Sequence, residues 1–318
     1  MARIPPQVHK FGGASLESGP AIAHAITIIR AQRPAPLVVV VSAMAGVTDA
    51  LLELSTAASR GEAARAVRAA GALHTKHVAA ARTLLRTGRA LEEALRDLES
   101  VFSELDQLSA GLVALRELTP RTSDFIVARG ERLSARLLVA GLEAAGIHAA
   151  YVDAVDVVKT DGAFGNASPN MPLIERSARK VLGPLLARGV VPVVPGFLGA
   201  APDGQVATLG RGGSDLSATL LARALGAREV SLWKDVPGLL TADPRHVPEA
   251  RVVPQLHLRE AAELAYYGAR VLHPRALIPV MRKNIAIRIR PFADPSSLGT
   301  EISRRRTLDA YSVKAISA

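Results

Sequence analysis

Short apolar runs alternate with longer segments of helical periodicity along most of the chain. Residues 37–41 are a leucine followed by four valines, a continuous run typical of a strand that is covered on both faces. Similar but weaker patterns predict further strands at residues 7–11, 150–152, 190–194, 229–233 and 285–289. Helical spacing predicts helices at residues 20–32, 123–145, 172–188, 215–225, 258–267 and 275–281, with several more within residues 50–118.

This order of elements predicts the fold class. Strands that alternate with helices favour an α/β fold with a mainly parallel sheet and helices on both of its faces. Residues 292–299 are rich in turn formers and are a weak candidate for a linker. In an open parallel sheet ligands bind at the carboxyl ends of the strands, so the loops that follow the strands are the places to look for chemistry.

The composition is that of a globular protein. The chain has 318 residues, of which 49% are hydrophobic, enough to bury a core and too many for disorder. Its most apolar stretch, residues 37–47, is shorter than the roughly 20 residues of a membrane span, and the N-terminus shows no signal-peptide pattern. We therefore expect a cytoplasmic protein with no membrane partner. Cysteine is absent, which excludes disulfides and thiolate metal sites.

The net charge of +10 is compatible with nucleic-acid binding and equally with phosphorylated small molecules. Aromatic residues make up only 3% of the chain, so there is little on which to stack bases. The compact basic run at residues 304–306 is better interpreted as part of a solvated tail. The sequence thus gives no reason to expect a nucleic-acid partner.

Two loops near the N-terminus could hold anions. In residues 10–15, KFGGAS, the amides of the two glycines can point at an anion and Lys10 adds a mobile charge, although a simple structural turn would look the same. In residues 42–49, SAMAGVTD, the hydroxyls of Ser42 and Thr48 could hold a carboxylate. Alternatively, Thr48 or Asp49 caps the following helix, and both interpretations can hold at one helix start.

Three further segments carry charge. Residues 208–215, TLGRGGSD, combine three glycines with Arg211, Ser214 and Asp215 just before a helix, which suits a phosphate or carboxylate site but matches neither a P-loop nor a dinucleotide fingerprint. Residues 129–134, RGERLS, interrupt an amphipathic helix, and surface salt bridges are the simpler interpretation. Residues 233–245 mix turn formers with charged residues and predict either a nucleotide site or a solvated loop.

In their order along the chain, these motifs resemble those of aspartate kinases. The resemblance extends to about residue 303 and rests on seven segments, residues 10–13, 42–49, 130–131, 195–197, 209–215, 235–245 and 267–274. It implies an amino-acid-kinase (carbamate-kinase-like) fold, a three-layer αβα sandwich over residues 1–303. The implied amino-acid-binding lobe covers about residues 1–226 and the nucleotide-binding lobe about 227–303. The implied ligands are L-aspartate, ATP and Mg²⁺, with a homo-oligomer as the possible assembly.

The resemblance also implies roles for single residues. Lys10 would neutralise the phosphoryl group in flight and Asp215 would organise the reacting groups. Arg211 would pair with the α-carboxylate of the substrate, and Glu131 with its α-ammonium. The remaining substrate-binding positions are Ser42, Thr48, Phe197, Gly213 and Ser214. The nucleotide-binding positions are Lys10, Gly12, Gly13, Ser15, Lys234, Asp235, Leu240, Asp243, Arg245 and Arg270, and no protein side chain is expected to form a metal site.

Several positions depart from the family pattern. Ala14 and Lys234 stand where threonine is usual, Pro237 replaces an aspartate, Leu240 a tyrosine and Arg270 a lysine. The changes at Lys234 and Leu240 bear on the binding of adenine and phosphate. Lys10, Glu131, Arg211 and Asp215 are nevertheless all present.

The resemblance ends where aspartate kinases usually continue into regulatory ACT domains. Residues 304–318 are therefore expected to be a basic linker toward a regulatory region that is missing here, and the chain alone is expected to be insensitive to lysine and threonine. Two alternatives remain, a related kinase of the same fold for another small acid and a catalytically inactive ligand-binding subunit. Glu131 favours a substrate with a free ammonium over an acylated amine.

Overall fold

The computed structural model describes residues 4–266, 271–305 and 315. The strands are β1 (Gln7–Phe11), β2 (Leu37–Val41), β3 (Ala149–Tyr151), β4 (Val191–Pro195), β5 (Leu198–Ala200), β6 (Val206–Thr208), β7 (Glu229–Lys234), β8 (Gln255–His257), β9 (Ala286–Pro291) and β10 (Thr300–Ser303). The helices are α1 (Gly19–Ala31), α2 (Val47–Ser59), α3 (Ala63–Leu85), α4 (Arg89–Leu115), α5 (Pro120–Ala144), α6 (Ala154–Val157), α7 (Met171–Ala187), α8 (Gly213–Leu225), α9 (Leu258–Tyr266) and α10 (Pro274–Met281).

One eight-stranded sheet organises the molecule, in the order β3-β4-β2-β1-β7-β9-β10-β8. All neighbouring strands run parallel except β9 and β10, which are antiparallel. The predicted mainly parallel sheet is therefore confirmed. Strand β1 lies in the middle, paired with β2 on one side and β7 on the other, so the loops after these three strands open at the same edge.

Helices cover both faces of this sheet. The buried valines of β2 show how, because successive side chains of a strand point to opposite faces. Val39 and Val41 pack into a cluster with α1 to α5, whereas Val38 and Val40 pack into a second cluster with α7, α8 and α10. The strand is buried on both faces, as its sequence predicts, and the three-layer αβα arrangement is confirmed.

Some elements differ from the sequence predictions. The antiparallel hairpin of β5 and β6 and the short strands β8 and β10 were not predicted, because segments of three or four residues carry too little periodicity to be detected. The turn-rich residues 292–299 connect β9 to β10 within the sheet. The predicted cap of α2 by Thr48 or Asp49 is wrong, since that helix begins after Gly46, whose φ of 76° is left-handed.

Two further features concern the membrane and the division into lobes. Among the described residues, no helix is both long enough and apolar enough to cross a lipid bilayer. The sheet continues through β1 and β7, on either side of the lobe boundary expected near residue 226. The division into an amino-acid lobe and a nucleotide lobe stays a prediction.

Candidate functional site

A cleft of about 350 Å³ lies at the carboxyl ends of β1 and β2, facing the first turn of α8. We use "the cleft" for this space. It is lined by Lys10, Gly13, Ser42, Ala43, Met44, Ala45, Gly46, Thr48, Asp49, Glu131, Phe197, Gly210, Arg211, Gly212, Gly213, Ser214 and Asp215. The structure therefore brings together every position predicted to be catalytic or substrate-binding.

A chain of three charges extends from Lys10 and Asp215, which line the cleft, to Lys234 beneath it. The Nζ atom of Lys10 lies 2.8 Å from Oδ1 of Asp215, and Nζ of Lys234 donates a hydrogen bond of 2.6 Å to Oδ2 of the same carboxylate. The side chains of Lys10, Lys234 and Asp215 are only 7%, 17% and 6% exposed. Two ammonium groups thus share one carboxylate in a mostly buried setting.

Burial and charge act in opposite directions on these groups. Burial alone would raise the pKa of Asp215, but the ammoniums of Lys10 and Lys234 outweigh it and hold that pKa at about 2. The pKa of Lys10 is lowered by burial and by Lys234, and Asp215 only partly offsets this. Asp215 is therefore ionised at neutral pH, and its role is that of a fixed anion between two cations.

Two neighbouring strands set the positions of these lysines. Lys10 lies in β1 and Lys234 ends β7, and Gly12 N–H continues the pairing to the carbonyl oxygen of Trp233 at 3.3 Å. Behind them, Trp233 Nε1 donates to Nδ1 of His9 at 3.1 Å. Burial and the nearby Arg290 lower the pKa of His9 to about 3, so the imidazole stays neutral and can accept this bond. The two strands are therefore locked in register directly beneath the cleft.

Glu131 brings a second carboxylate to the cleft from α5. It is 3% exposed, and among the described residues its Oε2 atom has no hydrogen-bond partner. Burial raises its pKa to about 8, although the amide of Ala43 and the charge of Lys10 oppose the shift. The ion pairs predicted around residues 129–134 are present, since Arg129 pairs with Glu104 and Arg132 with Asp153, each at 3.0 Å. Glu131 does not take part in them, because this side of α5 is packed into the core. A Cβ on Gly130 would lie 2.8 Å from that of Ala43, so α5 and the loop after β2 are in close contact.

The glycine-rich loop before α8 is shaped by its own backbone. Gly210 and Gly212 both have φ of 72°, a left-handed conformation that side chains strain. The loop brings the first turn of α8 to the cleft, where no side chain caps the helix, although Gly213 N–H already donates to the carbonyl oxygen of Gly210 at 2.9 Å. Between these glycines, Arg211 is exposed and has no ion-pair partner in the described part of the chain. Its guanidinium is therefore free to receive an anionic group.

Phe197 lies beside this loop and lines the cleft, and its carbonyl oxygen accepts a hydrogen bond of 2.8 Å from Leu209 N. Its φ of 69° is uncommon for an aromatic residue, and its N–H donates to Oγ of Ser217 at 3.0 Å. The preceding turn is pressed against α8, because a Cβ on Gly196 would lie 2.7 Å from that of Ser214. The ring of Phe197 in turn leaves no space for a Cβ on Gly213, at 2.7 Å. These contacts fix the distance between Phe197 and the start of α8.

Two side chains that hold the glycine-rich loop were not singled out from the sequence. The buried carboxylate of Asp124 accepts hydrogen bonds from Thr208 N, Thr208 Oγ1 and Gly165 N, each at 2.8 Å. From α10, Arg275 donates to the carbonyl oxygen of Leu209 at 2.6 Å and to the carbonyl oxygen of Ala167 at 3.1 Å. Both residues lie outside any compact motif, so only the fold shows what they contact.

The cleft places acidic and basic side chains next to a glycine-rich helix start. A sequence model of the amino acid kinase family matches residues 5–291. The chain belongs to the amino acid kinase family. It is 37% identical to "Aspartokinase 2, chloroplastic" of Arabidopsis thaliana over 305 residues, which are 95% of this chain and 55% of that protein.

Two comparisons with Escherichia coli proteins extend this family result. The chain is 34% identical to lysine-sensitive aspartokinase 3 over 303 residues, 94% of this chain and 64% of that protein. The crystal structure of E. coli aspartokinase III in complex with aspartate and ADP superposes with a TM-score of 0.87 at 32% identity, covering 95% of this chain and 65% of the other. The predicted fold and the predicted resemblance to aspartate kinases are confirmed. The chain spans a little over half to about two thirds of the length of these relatives.

Only some of the predicted nucleotide-binding residues lie at the cleft, in contrast to the predicted substrate-binding residues. Beside Lys10, Gly13 lines the cleft, Gly12 adjoins Lys10, and Ser15 is buried with an Oγ atom that has no partner among the described residues. Lys234 joins through Asp215. Further along the chain, Asp235, Leu240, Asp243 and Arg245 do not line the cleft, and Arg270 lies outside the described residues.

The segment after β7 makes most of its described contacts within itself. Arg245 Nε donates to Oδ1 of Asp243 at 3.0 Å in an exposed pair, and Leu240 bridges to Val252. His273, interpreted from the sequence as a packing or capping residue, is the N-cap of α10, where its Nδ1 atom accepts a hydrogen bond of 3.2 Å from Arg275 N. The predicted substrate-binding residues thus meet in the cleft, whereas the predicted nucleotide-binding residues after β7 lie in a loop outside it.

Proposed function

We propose that this chain transfers the γ-phosphoryl group of ATP to the side-chain carboxylate of L-aspartate, forming 4-phospho-L-aspartate and ADP. The observation that carries the proposal is the joint placement of three charged features in one cleft. These are the Lys10–Asp215–Lys234 chain, the unpaired carboxylate of Glu131 and the free guanidinium of Arg211. A relative of the same fold has been crystallised with aspartate and ADP, which supports the choice of ligands.

The three features match the three charges of aspartate. Arg211 suits the α-carboxylate, because a guanidinium can bind a carboxylate through two parallel hydrogen bonds. Glu131 suits the α-ammonium, which would satisfy its buried Oε2 atom. The side-chain carboxylate would then point toward Lys10, with the hydroxyls of Ser42 and Thr48 beside it.

The reaction needs positioning and cations rather than a protein base. The attacking carboxylate is already ionised at neutral pH. Its oxygen forms the new bond to phosphorus, the bond from phosphorus to the β-phosphate oxygen breaks, and ADP leaves with that electron pair. Negative charge spreads over the phosphoryl oxygens in the transition state, where Lys10 and the amides at the start of α8 can stabilise it.

Mg²⁺ fits this site as a companion of the nucleotide. Both oxygens of Asp215 lie against lysine ammoniums, and no group of three or more His, Asp or Glu side chains in the described part of the chain could hold a metal ion. Magnesium is commonly bound through substrate phosphates and water with few protein ligands, and it neutralises charge on the β- and γ-phosphates. Gly12, Gly13 and Ser15 are the residues that would adjoin those phosphates.

A hydroxamate assay tests the proposal. The purified chain is incubated with MgATP, hydroxylamine and either L-aspartate, L-glutamate or N-acetylglutamate, since hydroxylamine traps an acyl phosphate as a hydroxamate. We expect hydroxamate from aspartate alone. Product from N-acetylglutamate would contradict the role of Glu131 and favour a related kinase. ATP binding without any hydroxamate would favour an inactive ligand-binding chain.

Activity on aspartate would also suggest a biological role. Phosphoaspartate formation would then be a first step toward lysine, threonine and methionine, and the enzyme would work as a homo-oligomer. This role and this assembly are proposed for a chain that matches 55% of the length of its Arabidopsis relative.

A further inference from the structure

The chain of three charges beneath the cleft contains one more cation than its anion can balance. Lys10 approaches Oδ1 of Asp215, and Lys234 approaches Oδ2. One ion pair would already neutralise this carboxylate. Leaving a second ammonium in a mostly buried place carries a desolvation cost unless another anion joins the group. The arrangement is therefore completed when an anion binds.

The ammonium of Lys234 has unused hydrogen-bond donors with which to bind that anion. An ammonium carries three N–H donors, and Lys234 uses one of them on Asp215. Within the described residues neither lysine makes another side-chain hydrogen bond or ion pair. Lys10 contacts Asp215 only through Oδ1, at 2.8 Å, so it too has N–H donors left for a ligand. Both cations can turn donors toward a shared ligand while Asp215 keeps them in place.

The two lysines approach from different strands. Lys10 enters from β1 and lines the cleft, whereas Lys234 stands at the end of β7, where the chain turns into residues 235–245. Asp215 lies between them at the start of α8. A phosphoryl group that passes from nucleotide to aspartate above Asp215 would therefore have one ammonium on each side. In the family pattern this position is usually threonine, which carries no charge.

We propose that Lys234 is a catalytic residue that contacts the transferred phosphoryl group together with Lys10, and that Asp215 positions both ammoniums. The proposal rests on the proposed function and assigns this chain a cation that the family pattern does not place at this position. Lys234 acts through its charge. It stabilises negative charge on the phosphoryl oxygens while one P–O bond forms and the other breaks, and no proton is transferred.

The absence of cysteine from the chain allows a precise test. In Lys234→Cys the new thiol is the only one, and reaction with 2-bromoethylamine converts it to an aminoethyl side chain nearly isosteric with lysine. We expect kcat of the hydroxamate reaction to fall on the order of 100-fold in the unmodified variant, with KM for aspartate within about threefold. Aminoethylation should restore at least about a tenth of the lost activity, because it restores the charge.

A matched control accounts for any effect of the cysteine substitution and of the alkylation reagent on the rest of the protein. Lys180→Cys on the exposed face of α7 goes through the same two steps, and its activity should stay constant. If Lys234 only supported the structure, Lys234→Cys would have a lower thermal midpoint and a changed KM for aspartate, and aminoethylation would not restore kcat. Unchanged kcat in Lys234→Cys, or a loss that aminoethylation does not reverse, would overturn the proposal.

A binding measurement keeps this test independent of turnover. We expect MgADP to bind the wild type and Lys234→Cys with similar Kd, whereas MgADP with aluminium fluoride, which mimics the transferred group, should bind the variant at least tenfold more weakly. Equal affinity of both proteins for the fluoride complex would contradict the contact. If the wild type forms no hydroxamate, the proposed function fails, and the fluoride comparison still decides whether Lys234 contacts a phosphoryl group.

Discussion

The proposed substrate side and the proposed nucleotide side of the site are built in different ways. On the proposed substrate side, Asp215 is buried between its two lysines and Glu131 is buried against the loop after β2 before any ligand arrives, and Arg211 is the exposed exception. On the nucleotide side, the charged residues of the segment after β7 are exposed, and Arg245 pairs with its near neighbour Asp243.

The contrast indicates where binding free energy would come from. A preorganised pocket loses little order when its ligand binds, so small displacements there are costly. Exposed charges in a loop contribute little until a ligand excludes water from them. Substitutions on the two sides should therefore differ in size and in which kinetic constant they change.

The largest effect is expected from Lys10→Ala. This change removes a cation that lines the cleft and touches Asp215, so kcat should fall by about 10²–10³. The thermal stability should stay close to that of the wild type, because Lys234 still pairs with Asp215 and Lys10 contributes charge more than packing. Hydroxamate kinetics and a thermal melt measure the two effects. Near-normal kcat would remove Lys10 from the mechanism.

Glu131→Gln should have the next largest effect, and it depends on pH. Because the pKa of Glu131 is about 8, the carboxyl is mostly protonated at pH 7 and must lose its proton to bind an ammonium. In the wild type, kcat/KM for aspartate should therefore rise with pH, pass its half-maximal value near pH 8 and level off above it. The glutamine variant should lose about 10- to 100-fold at the plateau and show no such rise. The same rise in the variant would assign it to another group.

The stability of the same variant gives an independent check. The folded pKa of Glu131 lies above its ordinary value of 4.5, so between pH 4.5 and 8 the folded protein binds more protons than the unfolded chain. This contribution to the free energy of unfolding is present at low pH and is lost as the pH rises through 8. The thermal midpoint of Glu131→Gln relative to wild type should thus be higher at pH 8 than at pH 5.

Arg275→Ala should have an intermediate effect, because it acts through the glycine-rich loop. Without its hydrogen bonds to Leu209 and Ala167, the loop that carries Arg211 loses an anchor from α10. We expect kcat/KM for aspartate to fall about tenfold, with a lowered thermal midpoint. Arg282→Ala, at the exposed end of the same helix, is the matched control. Equal behaviour of the two variants would show that the anchor is dispensable.

The smallest effect is expected from Arg245→Ala. If the exposed segment holds the nucleotide, KM for MgATP should rise about three- to tenfold while kcat and KM for aspartate stay the same. The thermal midpoint should not change, because the pair with Asp243 is solvent-exposed. An unchanged KM for MgATP would show that residues 235–245 are a solvated loop in this chain and would make the contrast between the two sides sharper.

The sequence predicted those parts of the molecule whose signal is local. The valine run of β2 indicates a strand buried on both faces, and the glycine-rich loop shows its anion-binding character in eight consecutive residues. Long-range contacts leave no such signal. Asp124 and Arg275 meet the loop only because α5 and α10 converge on it, and RGERLS reads as a surface segment until the packing of α5 buries it. The Lys234 change was visible, but its contact with Asp215 required the fold.

The single tryptophan gives the protein an internal optical probe. Trp233 immediately precedes Lys234, its indole donates to His9, and its ring stacks on that of Phe11, the residue after Lys10, with centroids 6.1 Å apart. No other tryptophan contributes to the emission. A phosphoryl group that engages both lysines would change the electric field at this indole. Ligand binding could then be followed by intrinsic fluorescence in the unmodified protein, on the millisecond scale of a stopped-flow mixer.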